Sequence, residues 1–200
     1  MLALTLLPLL SCGGVPKTHY YSLRLPSAPA TVDPQTPFIL GVEHFRSAQV
    51  LRDDRIVYYE SPVQMNYYEY HRRSSDPPTL LTEQAVRALR QMGVFLEVRI
   101  LPTPEPLDYL LRGRVNNFEE VDDSSGGKGR VALELWLLRS RDHKVVWNAT
   151  REVESAIQEA GVPGVVKALN ASSERILKDV LSGLAAQVEK DFKASQGPSQ

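Results

Sequence analysis

The 200-residue sequence has little thiol, little net charge and no long apolar run. Cys12 is the only cysteine. A chain with one thiol cannot close an internal disulfide or build a cysteine-rich metal centre. The formal charge is −1, from 23 basic and 24 acidic residues. That balance carries no electrostatic footprint for nucleic acid. No apolar stretch approaches the ~20 residues that a membrane-spanning helix needs. The four histidines, His19, His44, His71 and His143, are scattered, with no helical i,i+4 pair and no metal-ligand spacing. There is no Gly-x-Ser-x-Gly elbow for a hydrolase.

What is present begins with Met1 to Gly14, a leucine-dominated, uncharged run ending at Ser11-Cys12-Gly13-Gly14. It has the length of an export signal's apolar core, which stops at small residues where a peptidase cuts. Leu9-Leu10-Ser11-Cys12 resembles the lipobox of bacterial lipoproteins. On that reading residues 1–11 are a signal peptide, Cys12 takes up a diacylglyceryl group through its thiolate, and residues 12–18 are a lipidated tether. Each buried methylene of an acyl chain adds roughly 0.8 kcal/mol of membrane affinity, so two or more chains hold stably. No Lys or Arg precedes the run, so the basic start of such a signal would lie upstream of Met1. The competing reading is a greasy segment packed on a core, with Cys12 an inert thiol.

Beyond the tether, composition (42% hydrophobic, 24% charged) fits one globular domain over residues 19–192, with a polar tail without order at 193–200. Strands are expected at 19–25, 38–42, 55–60, 64–70 and 94–100, with a Pro-rich loop at 26–37. Ser61-Pro62 closes the third and fourth into a hairpin. Asp76-Pro77-Pro78 marks a helix start, Leu81, Ala85, Leu89 and Met92 its apolar face, and Gly93 its stop. Runs at 109–120, 130–138 and 144–154 form a meander, joined by a polar turn (122–129) and a short one (140–143). In its middle strand Val131, Leu133, Leu135 and Leu137 share one face, and Ala132, Glu134, Trp136 and Leu138 the other. Val166, Leu169, Ser173, Ile176, Val180, Leu184 and Val188 stripe a long amphipathic helix. The fold class is therefore α+β, a two-layer sandwich of a mostly antiparallel sheet covered by two main helices.

Several apparent chemical motifs carry little. Ser125-Gly126-Gly127-Lys128 fits Ser-x-x-Lys, but in a turn. Gly127-Lys128 lacks both the first glycine and the Ser or Thr of a phosphate loop. Glu119, Glu120, Asp122 and Asp123 lack the alternation of a calcium loop. The Tyr-rich hairpin (Tyr58, Tyr59, Tyr67, Tyr68, Tyr70) is more informative. Tyrosine suits a surface that is apolar in body and wet at its tip, as in a protein contact; the alternative is a hairpin with an aromatic outer face. His71-Arg72-Arg73 adds a small basic patch beside it.

The ordered set runs from the lipobox and tether through Tyr20-Tyr21-Ser22-Leu23, a Pro-rich loop and Ile39-Leu40-Gly41-Val42. The Tyr-rich hairpin, Tyr70-His71-Arg72, Pro77-Pro78 and the helix ending at Gly93 follow. Together these resemble the ABC-type transport auxiliary lipoproteins, typified by paraquat-inducible protein C, over roughly residues 12–188. Members often carry a tryptophan where this chain has Arg73. The resemblance implies a non-enzymatic lipoprotein without cofactors or metal, held at the periplasmic face of the outer membrane. It also implies a partner, an MCE-domain protein of an ABC-driven system moving lipid between membranes. Gly13, in place of Asp, is compatible with outer-membrane sorting. Cys12 is the expected lipid attachment site, and Tyr67, Tyr68, Tyr70, His71, Arg72 and Arg73 the expected partner contact. A homo-oligomer is left open. The rival functions are a stand-alone carrier with an apolar pocket between helix and sheet, and an envelope hydrolase using Ser125 and Lys128.

Overall fold

The computed structural model describes residues 16–22, 33–61, 63–123 and 126–196. Among them lie, in order, β1 (His19–Tyr21), β2 (Ile39–Val42), β3 (Arg46–Ser47), a 3-10 turn (Gln49–Arg52), β4 (Arg55–Ser61) and β5 (Gln64–Arg73). Then come α1 (Pro77–Met92), β6 (Glu97–Ile100), β7 (Tyr109–Asp123), β8 (Gly126–Arg139), β9 (Lys144–Ala156) and α2 (Val162–Ser195).

The long strand β7 organises the sheet. One edge pairs antiparallel with β8 from Tyr109↔Arg139 to Asp123↔Gly126. Along the other edge three short strands are laid end to end, all parallel: β2 at Tyr109–Leu111, β3 at Arg114 and Val115, and β4 at Glu119–Val121. Outside these, β6 flanks β2, β5 flanks β4, β1 flanks β5 and β9 flanks β8. The sheet is thus mixed. Its long ladders, the meander and the β4–β5 hairpin, are antiparallel as expected, whereas the parallel pairings are short and join segments distant in sequence.

A bulge sets which side chains of β7 are buried. Register slips by one between Val115 and Asn117. Before it Tyr109, Leu111 and Val115 are buried; after it Phe118 and Glu120 take over that face, while Glu119 is buried on the other, against Arg130. An extra residue flips every later side chain to the other face. In β8, Val131, Leu133, Leu135 and Leu137 are all fully buried, as the alternation predicts. Each such side chain contributes roughly 1.5–3 kcal/mol relative to exposure.

Both helices belong to the same hydrophobic core. The Asp76 carboxylate accepts from the Thr79 amide at 2.8 Å, Pro77 opens α1, and Gly93 closes it in the left-handed region (φ 65°). Leu81, Ala85 and Leu89 are buried as the spacing predicts. α2 lies directly on β8: a Cβ on Gly129 would come within 2.6 Å of the Leu169 backbone nitrogen. The Ser172 hydroxyl donates to the Gly129 carbonyl at 2.7 Å across that contact.

Four boundaries differ from expectation. The turn expected at 122–129 is shorter, because β7 runs to Asp123 and β8 starts at Gly126. β5 continues past Tyr70 to Arg73, where β1 pairs with it. Val94 and Phe95 are buried but precede β6. α2 begins at Val162 and extends to Ser195, three residues into the stretch expected to lack order. β3 and the 3-10 turn carry no sequence pattern of their own. Residues 23–25 of the first expected strand, and 197–200, lie outside the described residues. Among the described residues no helix is long and apolar enough to cross a membrane.

Candidate functional site: the aromatic hairpin

The hairpin is irregular where its aromatics concentrate. Val57 pairs with Tyr67 and Arg55 with Arg72, so β5 takes five steps while β4 takes two. This wide bulge brings Tyr68 and His71 edge to face at 6.0 Å. Tyr58 extends the row, 4.7 Å from Tyr68. At the other end the His71 ring stacks on His19 at 5.2 Å and on Tyr21 at 5.8 Å. β1 is therefore held to β5 by side chains as well as by its backbone ladder.

The row is also a hydrogen-bonded network of titratable groups. The Tyr68 hydroxyl donates to Glu120 Oε2 at 2.7 Å, and the Tyr21 hydroxyl bonds His71 Nδ1 at 2.8 Å. Burial pushes the Tyr68 phenol well above its ordinary value, and the bond to Glu120 adds to this. Burial raises the Glu120 carboxyl, and the Tyr68 bond partly opposes it. Burial, then the His19 ring, lowers the His71 imidazole.

The expected contact residues divide into three groups. Arg73 is in the core, 4% exposed, with its guanidinium 5.4 Å from the Phe118 ring. Its Nη2 donates to the carbonyls of Asp53 (2.9 Å) and Arg55 (2.7 Å), while Nε and Nη1 find no partner among the described residues. Burial depresses its pKa to about 10. An arginine thus occupies the interior position where the resemblance implies an aromatic, so it adds no charge to a basic surface patch. Arg72 is tied to Asp54 at 2.8 Å, Tyr67 lies under the Arg55 guanidinium at 4.3 Å, and Tyr68 and His71 belong to the network. Tyr70 alone of the six points freely outward, 40% exposed. Tyr20 on β1 (68%), Val63 (94%) and Met65 (37%) share this region's exposed apolar surface.

The other sequence candidates come apart. Glu119 faces Arg130 (2.5 Å) and Asn117, while its neighbour Glu120 faces Tyr68, so the acidic run does not converge. Lys128 pairs with Glu154 at 3.5 Å. Ser125 and Cys12 lie outside the described residues. Conversely, the structure brings together His19 and His71, which are 52 residues apart and give no sequence signal of proximity. Glu120 was likewise hidden, because the bulge that buries it has no residue signature.

Two surface depressions lie elsewhere. A groove of about 340 Å³ between α1 and α2 is floored by Ala88, Met92, Leu177 and Leu181. Another of about 450 Å³, beside Tyr109, Arg139, Arg141 and Asp191, lies at the opposite end of β7 from the hairpin. At the helix–sheet interface, by contrast, the depression bordered by Ile56, Arg73, Leu80, Phe118 and Leu169 holds only about 10 Å³, roughly one water.

A family model described as ABC-type transport auxiliary lipoprotein component matches residues 21–180. The solved structure of protein XCC0632 from Xanthomonas campestris is similar at 20% identity and a TM-score of 0.76, covering 88% of this chain and 99% of that one. The hypothetical protein CT253 from Chlamydia trachomatis is similar at 7% identity and a TM-score of 0.54, covering 76% and 98% respectively. At these identities the likeness is one of fold. No curated protein matches the chain.

Proposed function

Because the chain belongs to the ABC-type transport auxiliary lipoprotein family, we propose that it is a non-catalytic subunit whose role is to dock. Fatty acyl chains on Cys12 hold it at the periplasmic face of the outer membrane. The folded domain presents a surface to an MCE-domain protein of an ABC-type system that moves lipid between the two membranes. The observation that carries this reading is the family match, which spans the domain from β1 into α2. The filled helix–sheet interface supports docking over the carrier alternative, since a carrier of that design needs a cavity where Leu111, Leu133, Leu135 and Leu137 are fully buried. Tyr70, with Tyr20 beside it on the neighbouring strand, is the exposed remainder of the expected contact strip and the proposed partner contact.

Affinity purification of the tagged protein from detergent-solubilised envelopes tests the partnership. An MCE subunit should co-purify, and Tyr70→Ser should weaken its recovery. Consistent absence of such a subunit overturns the reading. Mass spectrometry of the native N-terminal peptide tests the anchor, with a diacylglyceryl-modified and acylated Cys12 as the expected species.

A further inference from the structure

The way the chain enters β1 decides which end of the molecule faces the membrane. β1 runs parallel to β5, with His19 beside His71 and Tyr21 beside Arg73. The chain before His19 therefore arrives from the side of lower β5 numbers, the side of the hairpin tip. Cys12 precedes His19 by seven residues, a reach of at most ~25 Å for extended chain. Arg72 pairs with Arg55, and Ser61 at the tip is six residues further along β4, or ~20 Å. The far end of the sheet is more distant. Arg55 lies two residues before Val57, the partner of Glu119. From that level to Tyr109 is about eight residues of β7, or ~27 Å. Seven residues counted back from His19 are enough to span the distance to the tip and too few to span that to the far end.

At the tip stands the most exposed large apolar side chain among the described residues, Val63, at 94%. Met65 follows it, paired with Tyr59. Tyr58 and Tyr68 lie a few residues behind on the same hairpin. An apolar point backed by tyrosines matches the depth order of a bilayer interface, where aromatic rings settle at headgroup level. The charges at this end are not those of an anionic-lipid site. Glu60 sits beside the tip, bonded to Gln64, and Asp122 is one residue beyond Val121, the β7 partner of Tyr59.

We propose that the tip of the β4–β5 hairpin, led by Val63 with Met65 behind it, rests on the uncharged or zwitterionic surface of the bilayer that holds the Cys12 acyl chains. This contact rests on the anchor reading above. It fixes the domain's orientation, tip toward the lipid and the β8–β9 turn away from it.

Since an acylated Cys12 leaves no free thiol, Val63→Cys and Val145→Cys each create a single labelling site in the lipidated full-length protein. Val63 and Val145 are both exposed, 94% and 54%, and Val145 lies on β9 at the far end. Each variant is labelled with an environment-sensitive fluorophore and reconstituted into phosphatidylcholine–phosphatidylethanolamine vesicles carrying a brominated-lipid quencher. Quenching should be several-fold stronger at position 63 than at 145, and should not increase when phosphatidylglycerol is added. Equal, weak quenching at both positions overturns the contact while leaving the anchor standing. Stronger quenching at 145, quenching at 63 that appears only with anionic lipid, or a label at 63 shielded only by the MCE protein also overturns it. Wild-type protein that takes up label at Cys12 and fails to float with vesicles overturns the anchor and the contact together.

Discussion

Leu133 and Arg73 are both buried, yet they belong to regions held together differently. Around Leu133, the β7–β8–β9 meander under α2 is stitched by aliphatic side chains: Leu111, Leu135, Leu137, Ile176, Val180 and Leu184 are at most 2% exposed. Around Arg73, the β4–β5 hairpin and β1 add to the aliphatic contact of Ile56 and Val57 a set of polar fastenings: a guanidinium on two carbonyls, a tyrosine on a carboxylate and a stacked histidine pair. Apolar burial is indifferent to pH and spread over many contacts. The hairpin's polar fastenings are few, directional and titratable. The meander is accordingly the scaffold, and the hairpin the part whose attachment can be altered by single groups.

The largest loss of stability is expected in the scaffold. Leu133→Ala, at a fully buried site, should cost about 3 kcal/mol through lost burial and the cavity left behind, read from the urea midpoint. Arg73→Ala should cost about 2 kcal/mol, because it empties an interior position and leaves two carbonyls without their donor. Arg73→Trp should lose less than the alanine variant, since it fills the space without an underpaired buried charge although its single N–H cannot serve both carbonyls; a loss as large as that of the alanine variant would show that the charge itself is needed.

Tyr68→Phe should cost about 1 kcal/mol, with a diagnostic pH dependence. Glu120 has a raised folded-state pKa, so its contribution is fully present below the unfolded value and lost as pH rises through the folded one. Removing the phenol raises Glu120 further, so the variant's deficit should grow between pH 4 and pH 7. A deficit constant across that range would sink the assignment.

The smallest effect is expected at β1. The His71 pKa is lowered in the fold, so its contribution is present above the unfolded value and declines as pH falls below about 6.5. Once corrected for the slower intrinsic, base-catalysed exchange at low pH, the protection of β1 amides should therefore be weaker at pH 5 than at pH 7.5, with little change in the protection of β8. A His71→Gln variant should flatten the difference.

Much of the scaffold was legible from residues near one another in sequence. Asp76, Pro77 and Gly93 bound α1 because capping is settled within one turn. The alternation in β8 named its buried face because strand geometry fixes which side chains share a side. The hairpin's contacts were poorly legible for the opposite reason. The bulges at Asn116 and between Tyr67 and Arg72 have no composition of their own, yet they decide that Glu120 and Arg73 turn inward. His71-Arg72-Arg73 reads as a basic surface in one dimension; in three, Arg73 is sealed under Phe118 and Arg72 is neutralised by Asp54.

The sequence by itself determined the α+β class, the two helices and their apolar faces, the meander and the family resemblance, all carried by local periodicity and short motifs. Only the tertiary structure decided that β7 gathers β2, β3 and β4 along one edge, that His19 meets His71, and that β1 enters from the side of the hairpin tip. Those pairings join residues tens of positions apart, and their register is chosen by the packing of the whole sheet, which no local stretch of chain encodes.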